Sequence, residues 1–269
     1  MLESVIVTRN SLSGGEENKK KQIEEFETHI HIDFRLLDVS LELSALEDHL
    51  ELIENQIQSL RTSEKIALDS LVRSQNSSPD DFEWDEAYRD YYHKVESLLP
   101  RLFRGPFFVS LYAVYEAVVT EVARLIQRTL EQPLSLNDIR DSDFLDRAKK
   151  YYRHVLRFEL CGDNTTWQQI IVLSELRNAM AHTNGRWEML GEATKDRIKK
   201  WKKTHTGLEI VEGYIIADSA FLRKTFGIVR SSLDDLVERY KLWDDSKNPS
   251  QKGLRGENSN ERSVSQDET

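Results

Sequence analysis

A heptad repeat constrains this chain of 269 residues more than any other feature. From Phe34 onward, apolar residues recur at alternating intervals of three and four, at Leu36, Val39, Leu43, Leu46, Leu50, Ile53, Ile57 and Leu60. That period predicts one long amphipathic helix over residues 34–79. Further apolar residues at Leu37, Leu41 and Leu52 widen the stripe, which favours a helical hairpin or bundle over a free rod. Core packing within one chain and dimerisation both remain open for this helix.

The rest of the chain has helical segments divided by helix breakers, and one strand pair. The breakers that separate whole segments are Pro79, Pro133 and Gly162. Pro100 is expected to end or kink a helix, and Pro106 to lie near the start of the next one. The stretch "GLEIVEGYIIA" has apolar residues on both sides of Glu212-Gly213, which predicts a β-hairpin. The expected fold class is mainly α, a helical bundle with a long N-terminal heptad helix and one short β-hairpin.

Composition divides the chain into four parts. Residues 1–33 form a charged N-terminal arm, in which "SVIV" and "HIHI" are compatible with strand fragments and "LSGGEENKKK" with a loop. The heptad helix over 34–79 packs on the main helical domain, residues 80–242. Residues 243–269 have too few apolar residues to fold, which indicates a disordered tail.

Charge and cysteine content exclude several classes of protein. The net charge of −10 argues against a protein that coats nucleic acid by bulk electrostatics. A single cysteine, Cys161, permits no internal disulfide and fits a reducing cytoplasm.

The apolar run "FFVSLYAVYEAVVTEVARLI" is interrupted by Glu116 and Glu121, which predicts a buried core helix and no membrane span. The N-terminus lacks the basic-then-apolar order of a secretory signal, so we expect a cytoplasmic protein.

One local segment is basic despite the acidic total. Between Glu188 and Lys203, six cations stand against three carboxylates. The lysines among them are Lys195, Lys199, Lys200, Lys202 and Lys203. Such a run is either a solvated helix face or a local contact surface for RNA phosphates.

The stretch "LSELRNAMAHTNG", Leu173 to Gly185, places polar side chains at the end of an apolar helix. Thr165 and Gln168 predict a capping box at the start of this helix. Arg177 and His182 are five positions apart, which rotates them by about 140° and separates them by a rise of about 7.5 Å. Glu175, Asn178 and His182 share one stripe, which makes Glu175 a candidate supporting residue.

This set of residues suits the cleavage of a phosphodiester. A guanidinium binds phosphate through paired N–H donors, and a histidine exchanges protons near neutral pH. RNA supplies its own nucleophile, the 2′-hydroxyl, so such a reaction needs no metal. The sequence contains no clustered Cys/His set, no "HExxH" and no glycine-rich phosphate loop, so neither a metal nor a cofactor is expected. The simpler alternative is that the polar residues only solvate a helix end before the Asn184-Gly185 turn.

The stretch "LRNAMAHTNG" resembles the signature of the HEPN superfamily, in which Arg and a polar residue precede His by a fixed interval. The stretch "RGPFFVSLYAVYEAVVTEVARLI" resembles the long family helix with its aromatic-Glu pair, here Tyr115-Glu116. "GLEIVEGYIIADSAFL" resembles the hairpin and final helix of many bacterial members. The resemblance covers residues 80–242, with the heptad helix as an N-terminal extension.

The resemblance implies a metal-independent endoribonuclease that acts as a homodimer with a composite active site. Arg177 of one subunit and His182 of the other would then meet on one RNA phosphate. In these implied roles Arg177 is the phosphate clamp, His182 the general base or acid, Asn178 the orienting residue and Glu116 a partner of Arg177. It further implies a toxin or a phage-defence effector, restrained by an antitoxin or another regulatory protein. Some members of the superfamily bind partners without cutting RNA, so a catalytically silent helical dimer is the alternative.

Overall fold

The computed structural model describes residues 16–75, 82–141 and 143–247. The chain divides into two compact units, residues 1–41 and residues 42–269. In the first unit the described residues belong to the N-terminal part of a single helix. The second unit contains every residue that the sequence marks as a candidate site residue.

The described residues form seven α-helices and one two-stranded sheet. The helices are α1 (Glu16–Gln75), α2 (Phe82–Tyr92), α3 (Leu99–Thr129), α4 (Phe144–Lys150), α5 (Asn164–Thr183), α6 (Glu192–Thr204) and α7 (Ser219–Lys247). The strands are β1 (Leu208–Val211) and β2 (Tyr214–Ala217). Short π-helical turns lie at His93–Leu98 and Tyr151–Leu156, and single 3-10 turns at Leu136–Asp138 and Trp187–Met189. The predicted fold class, mainly α with one β-hairpin, is confirmed.

The long N-terminal helix begins earlier than the apolar period predicts. Helix α1 starts at Glu16, so "HIHI" is helical and its interpretation as a strand fragment is wrong. Residues 16–33 are rich in Glu and Lys, which favour a helix, and among their apolar residues Ile23, Phe26 and Ile30 lie outside the heptad register of residues 36–60. The "SVIV" stretch and the Pro79 break lie outside the described residues. At the other end α7 continues to Lys247, so residues 243–247 are helical and not part of a disordered tail.

The heptad stripe is buried within the second unit. Its residues Leu43, Leu46, Leu50, Ile53 and Ile57 are all less than a tenth exposed. The apolar residues off the stripe, Leu41 and Leu52, are 60% and 67% exposed. Ion pairs with other helices fix the register of α1: Glu54 bonds Arg104 of α3 at 2.7 Å, and Glu47 bonds Arg230 of α7 at 2.7 Å.

Helix α3 is the central element, and it packs against α5, α7 and β2. Pro100 follows the π-helical turn, in which the Leu99 N–H donates to the Lys94 carbonyl, five residues back. Pro106 lies inside α3, so the expectation that it marks a helix start is wrong. The apolar run is the buried core helix that its composition predicts, with Phe107 and Phe108 fully buried.

Helical residues Asp85–Thr129 are long and apolar enough to cross a membrane by length and composition. Half of the most apolar window is buried inside the protein.

The hairpin is where the sequence predicts it, and it holds the end of α5. Strands β1 and β2 pair antiparallel from Leu208–Ala217 to Val211–Tyr214. Glu212 and Gly213 have φ angles of 50° and 79°, the left-handed pair that a two-residue turn of type I′ requires. The Ile215 N–H donates to the Gly185 carbonyl at 2.8 Å, just beyond the C-terminus of α5. The turn after α5 is therefore tied to the hairpin by the backbone.

Candidate functional site

Helix α5 carries the Arg, Asn and His residues of the sequence motif. Its N-cap is Asp163, whose carboxylate accepts a hydrogen bond from the Thr166 N–H at 2.7 Å. The capping box expected at Thr165 is wrong, because the helix already begins at Asn164 and Thr165 lies inside it. At the C-terminus, Asn184 adopts a left-handed conformation and the Gly185 N–H bonds the Ala179 carbonyl at 3.0 Å. The predicted stop at Asn184-Gly185 is confirmed.

Arg177 is held by neighbours on α3 and by the next residue of its own helix. Its Nη1 donates to Asn178 Oδ1 at 2.8 Å, and its Nη2 lies 3.8 Å from Glu116 Oε2. Its guanidinium carbon lies 5.2 Å from the centre of the Tyr112 ring. The Arg177 and Glu116 side chains are each 29% exposed, so solvent reaches the pair. The structure thus brings Arg177, Asn178 and Glu116 together.

The electrostatics of this cluster depend on partial burial and on two arginines. Burial raises the pKa of Glu116, while the positive charges of Arg177 and Arg147 act in the opposite direction. Burial also raises the pKa of the Tyr112 hydroxyl to about 12, against a hydrogen bond with Ser174. Tyr112 is thus neutral near pH 7 and acts as a hydrogen-bonding group.

Two members of this cluster, Tyr112 and Arg147, are not among the residues that the sequence motif indicates. Tyr112 lies four residues before Glu116 on α3, so the helical i, i+4 rule places the two side chains on one face and could have found it. Arg147 lies on α4, far from the motif in the sequence, and nothing in the spacing indicates its position.

His182 lies apart from the Arg177 cluster. It occupies the last turn of α5, where its side chain is exposed, as is the neighbouring Ala181. Over the described part of the chain, His182 has neither a hydrogen bond nor an ion pair. One subunit therefore does not join Arg177 and His182, as their rotation around the helix predicts.

Glu175 contacts helix α6, whereas Arg177 contacts helix α3. Its Oε2 accepts a hydrogen bond from the Thr194 hydroxyl at 2.6 Å, and its Oε1 pairs with Arg197, both on α6. No hydrogen bond or ion pair joins Glu175 to Arg177 or His182 among the residues with described side chains. Glu175 thus fixes the position of α6 and takes no direct part in the Arg177 cluster.

The basic residues of α6 are only partly available to a ligand. Lys195 pairs with Glu192 at 2.8 Å and is 15% exposed. Lys199 lies 3.9 Å from Asp196, and Arg197 is engaged by Glu175. Three exposed lysines have no ion pair among the described residues, namely Lys200, Lys202 and Lys203.

Among the described residues, no group of three or more His, Cys, Asp or Glu side chains could hold a metal ion. No family model, no curated protein and no solved structure matches this chain.

Proposed function

We propose that this protein is a metal-independent endoribonuclease of HEPN type. One observation carries the proposal. A single helix end presents His182, which is exposed and unpaired among the described residues, five positions beyond an arginine, Arg177, that Asn178 and Glu116 orient. A base and a cation that binds the phosphate are groups that accelerate cleavage of RNA by its own 2′-hydroxyl.

The chemistry assigns a separate task to each residue. His182 removes the proton from a ribose 2′-hydroxyl, whose oxygen attacks the adjacent phosphorus while the bond to the 5′-oxygen breaks. The leaving 5′-oxygen takes up a proton from a water molecule, and the products are a 2′,3′-cyclic phosphate and a 5′-hydroxyl end. The Arg177 guanidinium stabilises the charge that develops on the phosphate oxygens. Asn178 and Glu116 keep the guanidinium in place.

A homodimer supplies the convergence that one subunit lacks. Because Arg177 and His182 point to different sides of α5, each would act with the complementary residue of a second subunit. The exposed Ala181, next to His182, leaves room for a second helix to approach closely. Phosphates of the RNA would also contact Lys200, Lys202 and Lys203, with Lys195 and Lys199 weakened by their acidic partners.

The setting we propose is the cytoplasm, where the protein acts as a toxin or phage-defence effector under the control of an antitoxin or similar partner. The alternative is a catalytically silent HEPN-like dimer that serves as a binding or scaffold module. One observation favours this alternative: Asn178 and Glu116 already engage both terminal nitrogens of Arg177.

The decisive experiment is an RNA cleavage assay with purified protein in the presence of EDTA. Wild type is compared with His182→Ala and with His154→Ala, another exposed histidine remote from the motif in sequence. We expect His182→Ala to lower the cleavage rate by a factor of about 100 or more, the scale of a lost general base. His154→Ala should cleave at the wild-type rate.

The product ends separate this mechanism from others. Direct labelling by polynucleotide kinase detects 5′-hydroxyl ends, and a 2′-deoxy substitution at the cleaved position should abolish cleavage. Equal rates for wild type and His182→Ala, or no cleavage of total RNA by either protein, would refute the endoribonuclease and leave the scaffold.

A further inference from the structure

A cavity of about 290 Å³ lies between helices α5 and α6. The α5 side includes Gln168, Ile171 and Val172, and the α6 side includes Lys200 and Trp201. No residue of the Arg177 cluster lines this cavity. It is therefore a feature separate from the candidate site.

The most deeply buried lining residues are apolar. Val172 and Trp201 are 8% and 7% exposed, and they form the floor of the cavity. The Trp201 ring packs edge-to-face against Phe221 of α7, with the ring centres 5.1 Å apart. It also packs against the His205 ring, with the centres 4.8 Å apart. Because two other rings hold Trp201, the floor is formed before any ligand binds.

An ion pair bridges the two helices at one end of the cavity. Arg197 lines the cavity one turn before Trp201, and it pairs with Glu175, one turn beyond Val172 on α5. Glu175 also accepts a hydrogen bond from the Thr194 hydroxyl at 2.6 Å. The charge of Arg197 is thus compensated within the protein.

The charge of Lys200 is not compensated in this way. Lys200 is exposed and forms no ion pair within the described part of the chain. Burial lowers the pKa of His205, which also lines the cavity and is therefore neutral at pH 7. The lining residues of α5 carry no charge. The cavity thus combines an apolar floor with one cation at its edge.

The size of the cavity limits what it can hold. A water molecule occupies about 30 Å³ in the liquid and a methylene group a similar volume, so about ten heavy atoms fill the space. The single cation matches one negative charge, whereas a phosphate monoester carries more than one.

We propose that this cavity binds a small apolar carboxylate with a body of about eight to ten carbons. The apolar body packs on Val172 and Trp201, and the carboxylate lies beside the Lys200 ammonium group. The inference goes beyond the proposed function, and it holds whether or not the protein cleaves RNA.

Titration with fatty acids of increasing length, followed on the Trp201 indole, tests the site directly. The chain has five tryptophans, so ¹⁵N labelling gives five indole N–H signals, and the signal lost in Trp201→Phe is that of Trp201. The probes are hexanoate, octanoate, decanoate and dodecanoate, each below its micelle concentration. Octylammonium has the tail of octanoate and the opposite charge, which makes it the matched control.

We expect octanoate to shift the Trp201 signal saturably with a Kd of about 1 mM, the range for a ligand of about ten heavy atoms. Hexanoate should bind about tenfold more weakly, since each buried methylene contributes a factor of about four. Dodecanoate should bind no more tightly than decanoate, because the cavity is then full. Octylammonium should bind about tenfold more weakly than octanoate, because attraction to Lys200 becomes repulsion.

Substitutions at exposed positions test the two parts of the site separately. Lys200→Glu should raise the Kd of octanoate about fivefold or more, the scale of an exposed ion pair. The control Lys202→Glu changes an exposed lysine that does not line the cavity, and its Kd should stay within about twofold of wild type. Gln168→Phe places a ring in the cavity from an exposed position of α5 and should abolish saturable binding.

Several outcomes would overturn the inference. No saturable shift of the Trp201 signal by any of the four acids, or unchanged binding in Gln168→Phe, would show that the cavity is not a binding site. Affinity that still rises from decanoate to dodecanoate would show non-specific apolar binding. Equal affinity for octylammonium and octanoate, or an unchanged Kd in Lys200→Glu, would show that the site does not recognise a carboxylate.

Discussion

Glu116 combines a stability cost with a positioning role. Its carboxylate is partly buried, which raises its pKa, and its ion pair with Arg177 opposes that shift without cancelling it. A carboxyl whose folded pKa lies above its unfolded value favours folding when protonated. Above that pKa the ionised group therefore costs stability, and this cost fades as the pH falls through the folded pKa towards the unfolded value.

We expect Glu116→Gln to separate stability from activity. At pH 7 the variant should unfold at the same temperature as wild type or at a higher one, because the desolvated charge is gone. The difference between the two proteins should shrink as the pH is lowered towards 4.5, the ordinary value for this group. The cleavage rate should fall about tenfold or more, since Arg177 loses the group that holds it.

The matched control for Glu116→Gln is Glu121→Gln, which breaks the Glu121–Arg124 ion pair elsewhere on α3. Thermal melts from pH 4 to pH 8 and the RNA assay measure both effects. A large loss of stability at pH 7 in Glu116→Gln, or full activity, would contradict this account of Glu116.

At the scale of single elements, the two sides of α1 should differ sharply in their tolerance of mutation. Leu50 is 1% exposed and Leu52 is 67% exposed, although they are two residues apart on one helix. We expect Leu50→Ala to lower the free energy of unfolding by about 2–5 kcal/mol, the cost of a cavity at a buried leucine. Leu52→Ala should stay within about 0.5 kcal/mol of wild type. Urea denaturation monitored by circular dichroism measures both changes.

Elements with a clear apolar period were predictable, and those without one were not. The buried stripe of α1, the core helix α3 and the Glu212-Gly213 hairpin follow from spacing and turn chemistry alone. The start of α1 at Glu16 does not, because the charged segment before Phe34 is helical although it lies outside the heptad register. Pro106 was misplaced because a proline is tolerated within a helix when packing compensates for its missing N–H.

Spacing alone predicted the candidate site only where its contacts are local, and the non-local contact of Glu116 with Arg177 was expected only from the family resemblance. Arg177, Asn178 and His182 lie on one helix, so their mutual geometry follows from helical rotation. The partner of Glu175 lies on α6, and such a contact depends on tertiary packing that one sequence does not show.

At the scale of the whole molecule, a shared active site makes two inactive proteins complementary. If Arg177 acts with His182 of a second subunit, a heterodimer of Arg177→Ala and His182→Ala chains contains one intact site and one doubly broken site. Co-expression should thus restore about one quarter of wild-type activity, since about half of the dimers are mixed and each has one working site of two.

Co-purification through two different affinity tags enriches the mixed dimer and raises the expected activity to about half. The control is a chain that carries both substitutions, paired with either single variant, which should remain inactive. Activity of the mixed dimer no higher than that of the single variants would show that each site is confined to one chain.

Met180, near the end of α5, packs between two glycines, Gly105 and Gly185, so the sizes of the residues at these three positions depend on one another. A Cβ on Gly105 of α3 would lie 3.3 Å from the sulfur of Met180, and a Cβ on Gly185 would lie 3.2 Å from the same atom. Met180 therefore fills the space that two glycines leave on either side of it. An enlargement at position 105 requires the Met180 side chain to shift by a few tenths of an ångström, and a shorter residue at position 180 removes that requirement. At position 185 the left-handed backbone adds a second constraint, and glycine should persist there longest.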